Sequence, residues 1–505
     1  MTSPGEPMTS TVLVPMDDGV RLATDLHLPD RTGRHPAVLI RTPYDRRAHR
    51  AELRAWAARG FAAAVQDVRG RHGSEGRWRP FHGEAADGTA TLRFLRAQEW
   101  SDGRVVAAGS SYAAHCALAT ATGPGGRPDA VIAAVPALGP AETAREPHGP
   151  ERLLARAGWW AAHGDRPDSD PGALGRALAA DPDLLAHLPV AALPVRLGRA
   201  LPSWRGVWDA ERPGALLRSA GRATVPLLAV AGTQDPFADD THRLWRAWGG
   251  PARLLTGPWG HGLTAEPGPG ARPAHRVALG ALYVRFARAA LDGRLSPGAY
   301  GALALAGSDL WFRPGERTAP RVWHFGARDG LRPLRGPDFT ADPARPVRSD
   351  TLDVPAAGPP DRCLLVTPPL PRPLDLLGPA QARLTAVADA APADWAVRVA
   401  ALAPDGRAEP LALGVVRRAD PPGAAAEFTV PLGRPARRLP AGTRLRVEVA
   451  GHHFPAHARQ PHTGEDPVTA TRLRASRRTV RLTGSALVLH TGRTRGVDPV
   501  QEICR

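Results

Sequence analysis

The 505-residue chain contains no lysine and no asparagine, and all 65 of its Lys and Arg positions are arginine. These two absences exclude whole classes of chemistry. A phosphate-binding loop ending in Gly-Lys, the lysine of a protein kinase, a Schiff-base or PLP lysine and an N-glycosylation site each need a residue type that is missing. Cysteine is scarce as well. Cys116, Cys363 and Cys504 lie far apart, form no metal-like spacing, and argue for a reducing compartment without a disulfide framework. No apolar run nears the roughly 20 residues of a membrane-spanning helix, and the opening MTSPGEPMTS has neither the basic nor the apolar stretch of a secretion signal. The expectation is a soluble, cytoplasmic protein with no membrane partner.

What is abundant needs the same care. The net charge is +16, a balance that in a clustered form marks nucleic-acid binding. Here the arginines are scattered, so the charge is read as coding bias toward Ala, Gly, Pro and Arg, and no nucleic-acid partner is expected. The 53 glycines and 54 prolines make up about a fifth of the chain, below the roughly 25 to 30% that suggests disorder. Length and an apolar share of 43% are enough for about three domains with substantial cores.

Organisation changes three times along the chain. Val12–Pro15 and Leu22–Leu28 flank Asp17-Asp18-Gly19 as a hairpin. Pro36–Ile40, Phe61–Val65 and Arg104–Ala108 are short apolar runs typical of strands buried on both faces. They alternate with the helix-like segments Arg47–Ala58 and Glu84–Ala97. Such alternation argues for a parallel sheet covered by helices. From about 141 to 222 buried-strand runs give way to helical periodicity rich in Ala, Leu and Arg, as in a helical insertion. The α/β pattern resumes with Val225–Ala231, Thr241–Trp248, Ala252–Thr256 and Arg276–Leu291. Beyond about Pro320 only short β-rich runs between Pro and Gly turns remain, from Arg321–Phe325 to Ala486–Leu489, the mark of a β-sandwich or jelly roll.

The sharpest local feature is Arg104-Val-Val-Ala-Ala-Gly109-Ser110-Ser111-Tyr112, followed by helix-forming residues. A strand that turns at once into a helix holds a corner serine out of the sheet, with the helix N-terminus aimed at it. Ser111 is therefore the candidate nucleophile. Asp235 follows the strand Val225–Ala231, and His261 follows the next strand in Gly257-Pro-Trp259-Gly-His261-Gly. The order Ser, Asp, His after successive strands is that of the α/β-hydrolases. His115 and Cys116, just after Ser111, read as packing residues, and Asp67 and Arg69 as structural ones, paired with each other or bracing nearby loops.

These residues resemble a known family. Arg41-Thr-Pro-Tyr44-Asp45, Val65-Gln-Asp67-Val-Arg69-Gly70 with Ser74-Glu-Gly76, Trp100-Ser-Asp-Gly103 leading into Gly109-x-Ser111-Tyr112, and the Asp235 and His261 loops are similar to the cocaine esterase-like (CocE/NonD) hydrolases, relatives of X-Pro dipeptidyl-peptidases and α-amino acid ester hydrolases. The likeness continues through Pro368-Pro-Leu370, Gly378-Pro379, Pro404-Asp-Gly406, His453-Phe-Pro455 and Pro461-His-Thr-Gly464, and so spans nearly the whole chain. It implies an α/β-hydrolase domain over 1–140 and 223–320, a helical cap over 141–222 and a C-terminal jelly roll over 321–505. Two departures touch the elbow. Ala114 stands where the family usually has glycine three residues after the nucleophile, and Val106 where it has glycine in the preceding strand; a slightly repacked elbow is expected.

The resemblance implies a serine hydrolase of esterase, amidase or peptidase type. Ser111, His261 and Asp235 would form its triad, with the Tyr44 phenol and the Tyr112 backbone N–H as oxyanion donors, and no cofactor or metal would be needed. The expected partner is a small-molecule ester or amide, and a homo-oligomer is compatible with a family that often self-associates. Trp159, Trp160, Trp208 and Trp259 are the expected walls of the substrate pocket. An acyltransferase or cyclising enzyme using the same acyl-enzyme, or a catalytically silent binding homologue, stays open beside this reading.

Overall fold

The computed structural model describes residues 9–30 and 32–505; residues 1–8, where a secretion signal was sought, lie outside them. Strands β1 (Ser10–Pro15) and β2 (Arg21–His27) pair antiparallel around a turn in which Gly19 adopts φ +83°. Then come β3 (His35–Thr42), β4 (Ala62–Asp67), β5 (Ser101–Ser110), β6 (Ala130–Ala134), β7 (Leu227–Gly232) and β8 (Ala252–Gly257). The sheet order is β1-β2-β4-β3-β5-β6-β7-β8, parallel from β4 onward. Ala299–Ala304 adds in parallel to β8, and Trp311–Phe312 closes the edge antiparallel, making ten strands. Because β3 lies between β4 and β5, successive connections run to opposite sides of it. The crevice this opens lies at the carboxyl ends of the strands, the place where α/β sheets bind ligands.

Alternate residues of each strand feed two cores. Val38, Ile40, Val65, Val106, Ile132 and Leu255 face Leu53 and Trp56 of α1 (Arg50–Ala57) and Leu282 and Phe286 of the helix Leu279–Leu291. On the other face Leu92 and Leu95 of α2 (Glu84–Arg96) pack on Ala37, Leu39 and Ala64, and Ala107, Val131, Ala133 and Leu254 meet Ala114 and Leu118, which lie on the helix after β5, and Trp245 of Ala238–Ala247. Burying residues of this size contributes about 1.5 to 3 kcal/mol each. That is why these strands read as continuous apolar runs.

Between β6 and β7 the chain makes the helices Pro140–Ala144, Leu153–His163, Ala173–Ala180, Leu193–Arg196 and Ala215–Ser219, with short 3-10 turns among them. Leu153, Trp160, Leu184, Leu193, Trp204 and Trp208 form their core, and Phe454, Ala458 and Val468 reach into it from far along the chain. The C-terminal part is built from two antiparallel sheets. One has the order Ala319–His324, Ser476–Thr491, Leu374–Ala388, Ala425–Pro431; the other runs Arg332–Arg335, Arg362–Val366, Arg444–Ala450, Ala393–Leu402, Ala408–Arg418. Leu384, Val480 and Leu487 of the first pack on Leu365, Val397, Val399 and Val447 of the second. The helical insertion is tied to this β-rich part by Arg417, which holds the buried Glu151 through two 2.8 Å bonds and Asp394 at 2.7 Å.

Two elements depart from the sequence reading. Ala-Tyr-Gly-Ala-Leu-Ala at Ala299–Ala304 has few strong strand formers, but pairing with β8 buries its last four residues. Helices do not end at Pro320: Pro499–Cys504 is helical, and its Ile503 is wholly buried in the core of the parallel sheet.

Candidate active site

Strand β5 ends in Gly109-Ser110, and the helix α3 (Tyr112–Thr122) starts one residue after Ser111, which takes φ 57°, ψ −118°. A serine in this sparsely populated region is strained, and strain of this kind is kept at functional corners. The turn is possible only because Gly109 has no side chain, since a Cβ there would lie 2.4 Å from the Ala113 carbonyl carbon. The Ser111 N–H donates to the Ala134 carbonyl at 2.9 Å, which locks the corner to β6. The methyl groups of Val106 and Ala114 are wholly buried in the two sheet cores, and the elbow geometry stands with both in place.

Asp235 sits in the turn after β7 and is 5% exposed. Its Oδ1 lies 2.8 Å from His261 Nδ1, on the loop after β8. Burial alone would lower the imidazole pKa. The hydrogen bond and charge of Asp235 outweigh that effect, and the net shift is upward. Among the described residues no hydrogen bond links Ser111 Oγ to His261; the hydroxyl instead meets the Tyr44 phenol at 3.4 Å. In such sites the bond between nucleophile and base commonly tightens only in the substrate complex. Trp159 Nε1 donates to the same phenol oxygen at 3.1 Å, and the Tyr112 backbone N–H faces it too. Burial raises the Tyr44 pKa, so the phenol keeps its proton and can donate it in a hydrogen bond.

A buried polar cluster underpins α3. The Tyr112 hydroxyl donates to Glu84 at 2.9 Å and accepts from the Phe81 N–H at 2.5 Å, while its ring stacks on Trp159. Glu84 in turn meets Arg41 at 3.0 Å and accepts from Cys116 Sγ at 3.4 Å. The Tyr112 hydroxyl is thus spent on this cluster, while its backbone N–H faces the Tyr44 phenol. Asp67 and Arg69 do not pair with each other. Asp67 binds the Arg46 side chain at 2.6 Å, and Arg69 bridges Asp87 and Asp18. His115, pushed down to about 4 by burial, is enclosed with Cys116.

Two cavities meet at Ser111. One, of about 590 Å³, is lined by Tyr44, Trp159, His261, Leu263 and Tyr283, and reaches the exposed Glu52. The other, of about 490 Å³, is lined by Phe81, Tyr112, Arg156, Trp159, Leu174 and Phe237. Ser111, Trp159, His163 and His261 belong to the walls of both. Among the described residues no group of three or more His, Cys, Asp or Glu is arranged to hold a metal, and no helix is long and apolar enough to cross a membrane.

Residues 18–263 match the family model of X-Pro dipeptidyl-peptidase (S15 family), and residues 314–495 match that of the X-Pro dipeptidyl-peptidase C-terminal non-catalytic domain. The chain is a serine hydrolase similar to this S15 and cocaine esterase-like family. Cocaine esterase from Rhodococcus sp. (strain MB1 Bresler) is 28% identical to it over 90% of this chain and 93% of the esterase. Among solved structures, an aminopeptidase from the marine sediment archaeon Thaumarchaeota archaeon superposes with TM-score 0.77 at 20% identity, covering 96% of both chains. An α-amino acid ester hydrolase gives TM-score 0.75 at 19% identity with the same coverage. These structural likenesses establish the fold: an α/β-hydrolase domain with a mixed sheet, followed by a β-rich domain.

Of the four tryptophans expected to wall the pocket of this hydrolase, only Trp159 lines either of these two cavities. Trp160 and Trp208 are buried in the core of the helical insertion, and Trp259 lies in the sheet core, edge-on to Trp311. Neighbouring residues on a helix point about 100° apart, so Trp159 and Trp160 cannot share a face. Sequence reading passed over Arg156, Phe81, Phe237, His163 and Tyr283. A signal existed for Arg156: it stands three residues before Trp159, on the same face of an otherwise apolar helix.

Proposed function

We propose that this serine hydrolase cleaves a small-molecule ester or amide through an acyl-enzyme formed on Ser111. His261 Nε2 takes the hydroxyl proton as Oγ adds to the acyl carbon. Asp235 holds the ring with its Nδ1–H toward the carboxylate and stabilises the imidazolium. The negative charge that develops on the acyl oxygen is met by the Tyr44 phenol and the Tyr112 backbone N–H. When the tetrahedral species collapses, the bond to the leaving group breaks and His261 returns the proton to the departing oxygen or nitrogen. Water then repeats the sequence on the acyl-enzyme, releasing the acid and restoring Ser111.

The observation that carries this reading is the 2.8 Å His261–Asp235 pair, set against the same cavity walls as a serine held in a strained elbow. Covalent labelling with a fluorophosphonate probe tests it. Wild type should be labelled stoichiometrically and Ser111→Ala should not; a well-folded wild type that resists labelling would show that Ser111 is not an activated nucleophile.

A further inference from the structure

Arg156 is the one charged side chain among the described residues lining the smaller cavity. It is 3% exposed, and among the described residues it forms no ion pair. One guanidinium nitrogen donates to Thr143 Oγ1 at 2.5 Å and another reaches the Pro140 carbonyl at 3.4 Å, while Nε has no partner. The group lies 5.7 Å from the ring centres of both Phe81 and Trp160. Burial lowers its pKa to about 9, which leaves it charged at neutral pH. Burying a guanidinium with no counter-charge is costly, and such a perturbed charge in a cleft marks a candidate binding site.

Both cavities reach solvent at their rims. The larger includes the exposed Glu52 and Gly262, so it offers a way out for a leaving group. The smaller is exposed at Ala155, Pro171 and Pro236, but its walls at Tyr112, Thr143, Arg156, Ala162 and Leu174 are buried, and that buried part suits the portion of the substrate that stays attached to Ser111. The smaller cavity has no acidic side chain among its described walls to meet an ammonium group. In the larger, Glu52 is bound to His49 at 2.9 Å.

We propose that the smaller cavity is the acyl chamber and that Arg156 there binds a carboxylate borne by the acyl group itself, so that the preferred substrates are monoesters or monoamides of short dicarboxylic acids. This rests on the acyl-enzyme reading above. Each terminal nitrogen spends one N–H on Thr143 or Pro140 and keeps a second one for a carboxylate that enters the cavity, and the guanidinium is flanked by the Phe81 and Trp160 rings. Apolar walls on either side accept the methylene chain.

The test compares monoethyl esters of the dicarboxylic acids from glutarate to suberate with ethyl esters in which a methyl ketone replaces the free carboxylate, measured by proton release near neutral pH. For at least one chain length wild type should favour the carboxylate ester in kcat/KM by about tenfold or more. That preference should fall by about tenfold in Arg156→Met and be partly restored in Arg156→Lys. Equal or better turnover of the ketone esters at every length, or an unchanged preference in Arg156→Met, overturns the assignment. If Arg156→Met does not fold, the wild-type series decides by itself. Failure of the acyl-enzyme reading looks different: neither series is hydrolysed and the fluorophosphonate does not label Ser111.

Discussion

The most discriminating test of the oxyanion assignment is Tyr44→Phe, which deletes one oxygen atom and leaves the ring in place. In the structure that oxygen is 3.4 Å from Ser111 Oγ and accepts a 3.1 Å hydrogen bond from Trp159 Nε1. The indole N–H polarises the phenol and strengthens its own donation. In the proposed oxyanion hole the phenol is one of two donors, and losing one such donor typically lowers kcat by about 10² to 10³, or roughly 3 to 4 kcal/mol. The low end applies here, because the Tyr112 N–H remains fixed at the start of α3. A kcat drop of about 100-fold with KM altered by less than about threefold is expected on an uncharged ester, since the interaction is realised only as charge develops. The unpaired Trp159 Nε1 should also lower stability by about 1 kcal/mol, readable by denaturant titration and too little to unfold a domain of ordinary stability. A kcat within about threefold of wild type would refute the role of the phenol.

Other expectations follow from the same geometry. Asp235 raises the His261 pKa, and in the proposed mechanism His261 must be neutral to act as base, so kcat/KM should fall on the acid side with an apparent pKa above the ordinary imidazole value of about 6.5; a limb well below that value would contradict the pairing. Asp235→Asn should leave the fold intact and lower kcat by about 10⁴, as loss of the correct tautomer does elsewhere; near-normal turnover would sever Asp235 from the mechanism. Gly109→Ala should destabilise by about 1 to 3 kcal/mol and abolish turnover, since the new methyl meets the Ala113 backbone; wild-type melting and activity would count against this account of the elbow. Arg417→Ala should cost about 3 kcal/mol, because the buried Glu151 and Asp394 lose their direct partner and keep only the longer-range charges of Arg145, 3.6 Å from Glu151, and of Arg478 near Asp394; an unchanged denaturation midpoint would show that the clamp contributes nothing.

The parts of this molecule that were readable from sequence are those set by short-range rules. A buried parallel strand has to be a continuous apolar run, and a strand-to-helix corner with a serine needs Gly109 two residues earlier, so β3 to β8 and the elbow are written locally. The loops carrying Asp235 and His261 are legible because each directly follows a buried strand. Side-chain direction is another matter. Trp159 and Trp160 are adjacent in sequence and identical in chemistry, and only packing against Tyr44 on one side and the insertion core on the other separates cavity wall from filler. Trp259 stands two residues from His261, and its position gives no hint that the ring turns inward beneath the sheet. Arg156 was hidden by composition: where all 65 basic residues are arginine, one buried guanidinium without an acid partner cannot be told from its solvated neighbours until the fold places it.

The helix Pro499–Cys504 bears on how the molecule can be taken apart. Ser296 donates its N–H to the Arg505 carbonyl at 3.0 Å, Arg253 reaches the same oxygen, and Arg313 pairs with Glu502 at 2.5 Å, so the last residues are stitched to the outer strands of the parallel sheet. The β-rich domain is thus a long excursion that leaves the hydrolase domain and returns to it. Cutting the chain after residue 320 would strip Ile503 from the sheet core along with the β-rich domain, uncovering apolar surface around Leu282 and Trp311. A smaller catalytic unit would need an internal excision, with a linker joining the edge strand directly to this last helix.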